Sequence, residues 1–259
     1  KDKPAAAAGA FERAQTDLEK NKPKWIDSLE KSMGTLTEEL LSILASLHSG
    51  DYMDPDMEPK VVLEKLDAVR EELDTITEKA EMYATWFGVF KLGDGEQSLT
   101  SLKDTATQYE MKREIWQRLD LWNESVGRWK SGNFAQLNAE ELRREVETYH
   151  KDIYKLSKRL NTDPVVRHFL GSIEDVRAYV PVMVDLGNTA MQARHWKRIF
   201  ERMQQPYFPG TVVTLEQLLK YGVEHHAAFI AEVSGVASGE WALEAVSYTH
   251  LRAHETRHD

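Results

Sequence analysis

Eight apolar side chains, Val62, Leu66, Val69, Leu73, Ile76, Ala80, Tyr83 and Phe87, recur at intervals that alternate between four and three residues. A strand repeats every two residues, so this stretch is read as an α-helix carrying one apolar seam through nearly four heptads. Pro59 stands just ahead of it, where a fixed φ and a missing N–H suit a first helical turn. A helix with such a seam is not stable by itself in water. The chain must fold by laying helices against each other.

Further stripes supply the neighbours. Ile26, Leu29, Met33, Leu36, Leu40, Leu44 and Leu47 form one, closed by a turn at Gly50. Leu142, Val146, Tyr149, Ile153, Leu156 and Leu160 form another, preceded by Asn138 and Glu141 at capping-box spacing. The pattern predicts a fourth helix over Leu99–Lys130, with Leu102, Ala106, Tyr109, Ile115, Leu119, Trp122, Val126 and Trp129 facing inward. Shorter helices are expected at Val165–Tyr179, Thr189–Arg202 and Leu215–Val233, the last opened by a capping box of Thr214 and Gln217. Gly93–Gly95, Ser131–Asn133, Asn161–Pro164 and Gln205–Gly210 carry turn chemistry. Thr211–Val213 is too short to count as a strand.

Short connections between long helices favour antiparallel neighbours, and the helices differ too much in length for a fixed-period solenoid. The expected fold class is therefore all-α, an elongated array of antiparallel helical bundles. Residues 1–92 are read as one helical segment and 96–246 as a second, divided at Gly93–Gly95; residues 247–259 stand apart as a tail foreign to the rest. The opening run of four Ala beside Lys and Pro reads as a frayed start cut from a longer chain.

Composition narrows the function classes. A formal charge of −10 opposes a nucleic-acid role, which needs a concentrated basic face. No apolar run approaches the roughly 20 residues that span a bilayer, and no signal peptide pattern opens the chain. The absence of cysteine removes disulfides, thiolate metal sites and thiol nucleophiles together, and a cytosolic compartment is the plain reading. Walker A spacing is absent throughout, so no ATP hydrolysis is expected of this chain alone.

The run Trp116–Trp129 (WQRLDLWNESVGRW), followed by Phe134, Leu137 and Tyr154–Leu156, resembles the N-terminal linker region of dynein heavy chains. So does Val176–Ile199 (VRAYVPVMVDLGNTAMQARHWKRI), where a helix and Pro181 precede a short loop and an Arg194-His195-Trp196 helix. The Leu-rich segment from Thr214 follows in the same order, and the likeness covers about Leu63 to Val246. Residues 122–141 are similar to axonemal, inner-arm-like heavy chains. The resemblance implies a mechanical lever arching over an AAA+ ring whose ATP cycle bends and straightens it, driving movement toward the microtubule minus end. It also implies an axonemal place in a cilium or flagellum, within the cytoplasm and cytoskeleton. ATP and Mg would belong to the ring of the parent chain, with no cofactor here. Partners would be that ring and dynein intermediate and light chains, the microtubule only through the parent chain, with no nucleic acid and no membrane.

Trp116, Trp122, Trp129, Pro181, Arg194, His195 and Trp196 are accordingly marked as structural positions of the family pattern, not catalytic ones. Arg194-His195-Trp196 reads either as a binding hot spot or as a core Trp196 whose neighbours bond to loops; the second reading is preferred. Glu224 with His225 and His226 cannot chelate together, because adjacent helical residues point about 100° apart. His250, His254 and His258 have metal-binding spacing, but Ser247–Asp259 resembles a translated sequencing adapter. Glu71-Glu72 and Glu140-Glu141 read as solvated faces rather than acid–base pairs. The competing reading is a non-motor helical scaffold that binds partner chains.

Overall fold

In a computed structural model, which describes residues 3–90, 92, 96–160 and 162–255, with backbone alone for 3–10, 96–98 and 247–255, the apolar stripes become helices. They are α1 (Lys3–Leu47), α2 (Pro59–Phe90), α3 (Glu96–Ser131), α4 (Ala139–Arg159), α5 (Pro164–Leu186), α6 (Ala193–Arg202), α7 (Leu215–Lys220) and α8 (Ala227–Glu255). Short 3₁₀ turns lie at Gly50–Met53, Phe134–Gln136 and Val223–His226. No strand occurs among the described residues; the one extended pairing is an isolated antiparallel bridge between Asn133 and Thr214. The all-α fold class is as expected. Gly93–Gly95 lies outside the described residues, and the chain forms two compact units that part at Arg118/Leu119, inside α3.

In the first unit α1 and α2 run antiparallel. The Trp25 and Phe90 rings are 6.4 Å apart at one end, and Lys79 reaches Glu39 at 3.7 Å further along. The α2 seam is buried from Val62 to Ala80, then only half-covered at Tyr83 and Phe87. Against it, α1 buries Leu29, Met33, Leu36, Leu40, Ile43 and Leu47, again at alternating fours and threes. The expected stripe named Leu44 in place of Ile43, and the structure corrects it: Leu44 is half-buried, one residue off the seam. Both side chains are aliphatic, so hydrophobicity did not separate them; the register inherited from Leu36 and Leu40 does. The first part of α3 runs antiparallel to α2, with Arg70 paired to Glu110 at 2.6 Å and Arg113 paired to Asp67.

The second unit begins with the last turns of α3. Here α4 lies antiparallel to α5, joined by Arg177 to Glu147 at 3.0 Å. Asp163 caps α5 by accepting from the amides of Val165 and Val166 at 2.9 and 3.3 Å, with Pro164 in the first turn. At α4 Asn138 accepts from the Glu141 amide at 3.1 Å, and at α7 both arms of the Thr214–Gln217 capping box form.

Several helix boundaries differ from expectation: α3 starts at Glu96 rather than Leu99, α8 runs past Val233 to Glu255, and three further differences each have a local reason. First, α5 passes through Pro181 to Leu186 instead of giving way to a loop. A helix-interior proline forfeits a hydrogen bond, a loss of about 3 kcal/mol; Val180, Val182, Met183 and Leu186 are all buried around it, and that packing sustains the helix. Second, the segment expected as one helix over Leu215–Val233 is broken at Gly222, whose φ of 71° ends α7 in the left-handed conformation. Third, α6 starts at Ala193 rather than Thr189, because Gln192 is its N-cap. The first residues, expected to fray, are helical from Lys3.

The register correction has a measurable consequence. Ile43→Ala is expected to destabilise the fold by about 2–5 kcal/mol, and Leu44→Ala by less than half as much. Chemical denaturation of both variants checks this; equal losses would show that the seam is not the one described.

Candidate functional site

Two side-chain constellations in the second unit gather most of the marked residues. The first is aromatic. Trp122, with no exposed surface, lies 5.7 Å from Trp129 and 5.1 Å from Tyr149 in edge-on geometry, and 6.3 Å from Phe169. Its indole Nε1–H donates to Ser172 Oγ at 3.0 Å. One ring therefore joins α3, α4 and α5. An edge-on ring contact contributes roughly 0.5–1.5 kcal/mol beyond burial, and the satisfied N–H removes the penalty of a buried donor. In the first unit Trp116 is equally buried and donates to the Tyr52 carbonyl at 3.4 Å, tying α3 to the turn after α1.

The second constellation joins α6 to α8. Arg194 pairs with Glu240 through Nε at 3.0 Å and also through its terminal nitrogen. His195, buried, contacts the same carboxylate through Nε2 at 3.1 Å. Its Nδ1 is 3.0 Å from the backbone amide of Gln192. An amide can only donate, so Nδ1 is the acceptor and Nε2 carries the proton given to Glu240. Arg198 and Arg202 lie over the Phe229 ring at 5.9 and 5.6 Å, continuing the same joint along α6. Hydrogen bonds from Arg194, then its charge and His195, hold the Glu240 carboxyl below the ordinary glutamate range.

Chemically this is a His–carboxylate pair with both ring nitrogens engaged in structure. The imidazole is shielded from solvent, so it is placed to fasten a helix rather than to move a proton.

The geometry reorders the expectation for Arg194-His195-Trp196. His195 is the core residue, whereas Trp196 is half-buried, with Phe134 at 6.1 Å and Phe200 at 6.3 Å. Arg194 and His195 both bond to Gln192 in the loop that opens α6, as expected, and both also reach Glu240 on α8. Adjacent positions on a short helix differ by 100°, and α8 selects which one faces inward. Glu240 itself went unread, since one glutamate 45 residues away carries no local signal.

Asn188 also went unread. Its amide donates to the Ser234 carbonyl, Ser234 Oγ and Ser238 Oγ at 3.0, 2.9 and 2.8 Å, while its Oδ1 accepts from Ala190 N at 3.0 Å. The preceding Gly187 was its available signal. A Cβ there would meet Ala139 Cβ at 2.9 Å, so α4 and the end of α5 approach too closely for any side chain.

The remaining candidates stay apart. Glu71, Glu72, Glu140 and Glu141 are exposed on their helices. His225 is exposed, 3.7 Å from Glu224. No group of three metal-ligating side chains occurs among the described residues, and the side chains of His250, His254 and His258 lie outside them. Among the described residues no helix is long and apolar enough to cross a membrane.

Trp122→Ala is expected to destabilise the protein by about 3–5 kcal/mol and Trp196→Ala by less than about 2. Urea titration distinguishes them, and a larger loss for Trp196 would reverse the assignment of the core ring. Glu240 ionised stabilises the fold above the ordinary glutamate range, and this contribution is lost as pH falls through its lowered folded-state value. Glu240→Gln is therefore expected to flatten the acid limb of the stability profile below about pH 4.5; wild-type and variant curves that stay parallel would speak against it.

Comparison with known proteins agrees with this architecture. Residues 102–248 match the family described as dynein heavy chain, N-terminal region 2. Dynein axonemal heavy chain 6 of Homo sapiens is 24% identical over 242 residues, covering 93% of this chain and 6% of that protein. Dynein axonemal heavy chain 2 of Homo sapiens is 23% identical over 230 residues, 88% of this chain and 5% of that protein. The dynein-1-beta heavy chain of the flagellar inner arm I1 complex of Chlamydomonas reinhardtii is 22% identical over 238 residues, again 92% of this chain and 5% of the relative. The chain thus spans only a small fraction of the length of these relatives. With more than half of its residues matched to the family, it belongs to the dynein heavy chains, as a piece of their N-terminal region.

Proposed function

We propose that this chain is part of the linker and adjoining tail of an axonemal dynein heavy chain, a lever that couples ATP-driven changes in an AAA+ ring to minus-end-directed movement along microtubules. The observation that carries the reading is Trp122, buried where three helices of the matched region meet. A lever loses work wherever its parts slide, and close-packed interiors resist such sliding because small displacements forfeit many contacts at once. The Arg194–His195–Glu240 joint adds directional bonds between α6 and α8, which resist rotation as well as separation.

In this reading catalysis belongs to the parent chain. ATP and Mg would be held in its AAA+ ring, and the chain described here holds no cofactor of its own. Its partners are the ring, dynein intermediate and light chains, and the microtubule through the rest of the heavy chain. The setting is the axoneme of a cilium or flagellum, in keeping with the axonemal relatives.

A second reading, a helical scaffold that binds partner chains outside any motor, draws support from the exposed Trp25 and Trp86 on the first unit. The full-length transcript separates the two. Six AAA+ modules downstream, the first with a Walker A loop, are expected; a stop codon soon after Val246 would defeat the motor. Within such a heavy chain, Trp122→Ala is expected to slow microtubule gliding while ATP turnover persists, and unchanged gliding would count against a lever role for this region.

A further inference from the structure

Arg194, Arg198 and Arg202 follow one another at intervals of four along α6, so all three share one face of it. Their partners differ. Arg194 is matched by carboxylates of α8, Glu240 and, at 3.6 Å, Glu244. Arg198 and Arg202 meet an aromatic ring instead, their guanidinium carbons 5.9 and 5.6 Å from the centre of Phe229. Both are exposed, and neither forms an ion pair among the described residues. Glu201, beside them on α6, faces Lys197 at 3.8 Å, and Glu232 on α8 is exposed without an ion pair. Over Ala193–Arg202 four cationic side chains stand against a single glutamate. Like charges one helical turn apart repel and weaken a helix, and an anion shared between them turns that repulsion into attraction.

We propose that Arg198 and Arg202, gathered on Phe229, form a clamp that binds a phosphate monoester. At this spacing the two Cβ atoms lie about 5–6 Å apart, which lets two guanidinium forks reach one tetrahedral group. An arginine that rests on a ring keeps its N–H edge for hydrogen bonds, and the ring restrains it before the ligand arrives, which lowers the cost of ordering. Charge selects phosphate. A monoester carries roughly −1.5 to −2 at neutral pH, against two positive charges, whereas a carboxylate would leave one guanidinium unmatched. Phe229 stands in the first turn of α8, a turn without an acidic residue, at the positive end of that helix's macrodipole. Longer polyanions fit poorly. A nucleic acid or an anionic bilayer presents rows of charge and needs an extended basic face, whereas Glu201 and Glu232 stand within one turn of the clamp residues. A single phosphate is carried on a phosphorylated side chain of a partner segment or is free in solution, with the same chemistry at the arginines. The proposal rests on no part of the motor reading.

The test follows the arginine Nε–H resonances of the isotope-labelled 259-residue chain as probes are added. The probes are inorganic phosphate, a short glycine peptide carrying one phosphoserine, and the same peptide with serine or aspartate in its place. Saturable shifts are expected at Arg198 and Arg202 with phosphate and with the phosphopeptide, while Arg194, held by Glu240, stays unmoved. The aspartate peptide is expected to bind at least about tenfold more weakly than the phosphopeptide, and the serine peptide not to bind. Arg198→Gln and Arg202→Gln, both at exposed positions, are each expected to weaken phosphate binding at least about tenfold with helix content unchanged. Tighter binding of the phosphopeptide than of inorganic phosphate supports the clamp with a source on a partner protein; equal or weaker binding of the peptide supports it with free phosphate as the source. Shifts that do not distinguish phosphoserine from serine, shifts spread equally over Arg194 and the clamp arginines, or phosphate binding untouched in the glutamine variants would each overturn the proposal.

Discussion

An amphipathic helix carries its own instability, because the stripe that defines it must leave water and nothing within the helix can cover it. Every long helix of this chain answers to that constraint. The α2 seam is buried from Val62 to Ala80 and half-covered at Tyr83 and Phe87, towards the end of α2. Burial follows the presence of a neighbour and not the strength of the local pattern. Propensity alone contributes little to helices in water, and the energy that holds α1 or α5 comes from the apolar face each one shares.

Two kinds of joint appear in the second unit, and they do different physical work. Around Trp122 the attraction is dispersion and desolvation, strong in sum and indifferent to orientation except through the ring edges and the bond to Ser172. Between α6 and α8 it is directional: one carboxylate takes both Arg194 and His195, and the imidazole is committed through its other nitrogen to the start of α6. Asn188 repeats the device at the end of α5, where one side chain bonds to two serines of α8. A core built only of the first kind would tolerate small rotations of its helices. The polar joints fix the angle.

Much of this was legible along the chain. Val62 to Ala80 of the α2 seam and Leu142, Val146 and Ile153 of the α4 stripe are buried as spacing alone named them, because heptad periodicity reports the direction a side chain points. Tyr149, Leu156 and Leu160 of that stripe are half-buried. Trp122 and Trp129 are buried, as their inward positions on α3 require, and Trp116 is buried beside the inward Ile115. Two of the errors share one cause. Ile43 and Leu44, like His195 and Trp196, are neighbours that a periodic reading leaves one step ambiguous, and the facing helix decided between them. Pro181 was a stop signal overruled by four buried aliphatic neighbours, whereas Gly222 was a stop signal passed over.

The amino-acid order by itself determined that the chain is helical, where most helices lie, which faces they bury and which family it resembles, since all of these rest on local spacing and residue type. Only the tertiary structure decided that two compact units part within α3, that Glu240 closes the joint begun by Arg194 and His195, and that Trp25 and Trp86 line an open groove. Those are properties of residues distant in sequence and adjacent in space. No local period encodes them, because they come into being only when helices meet.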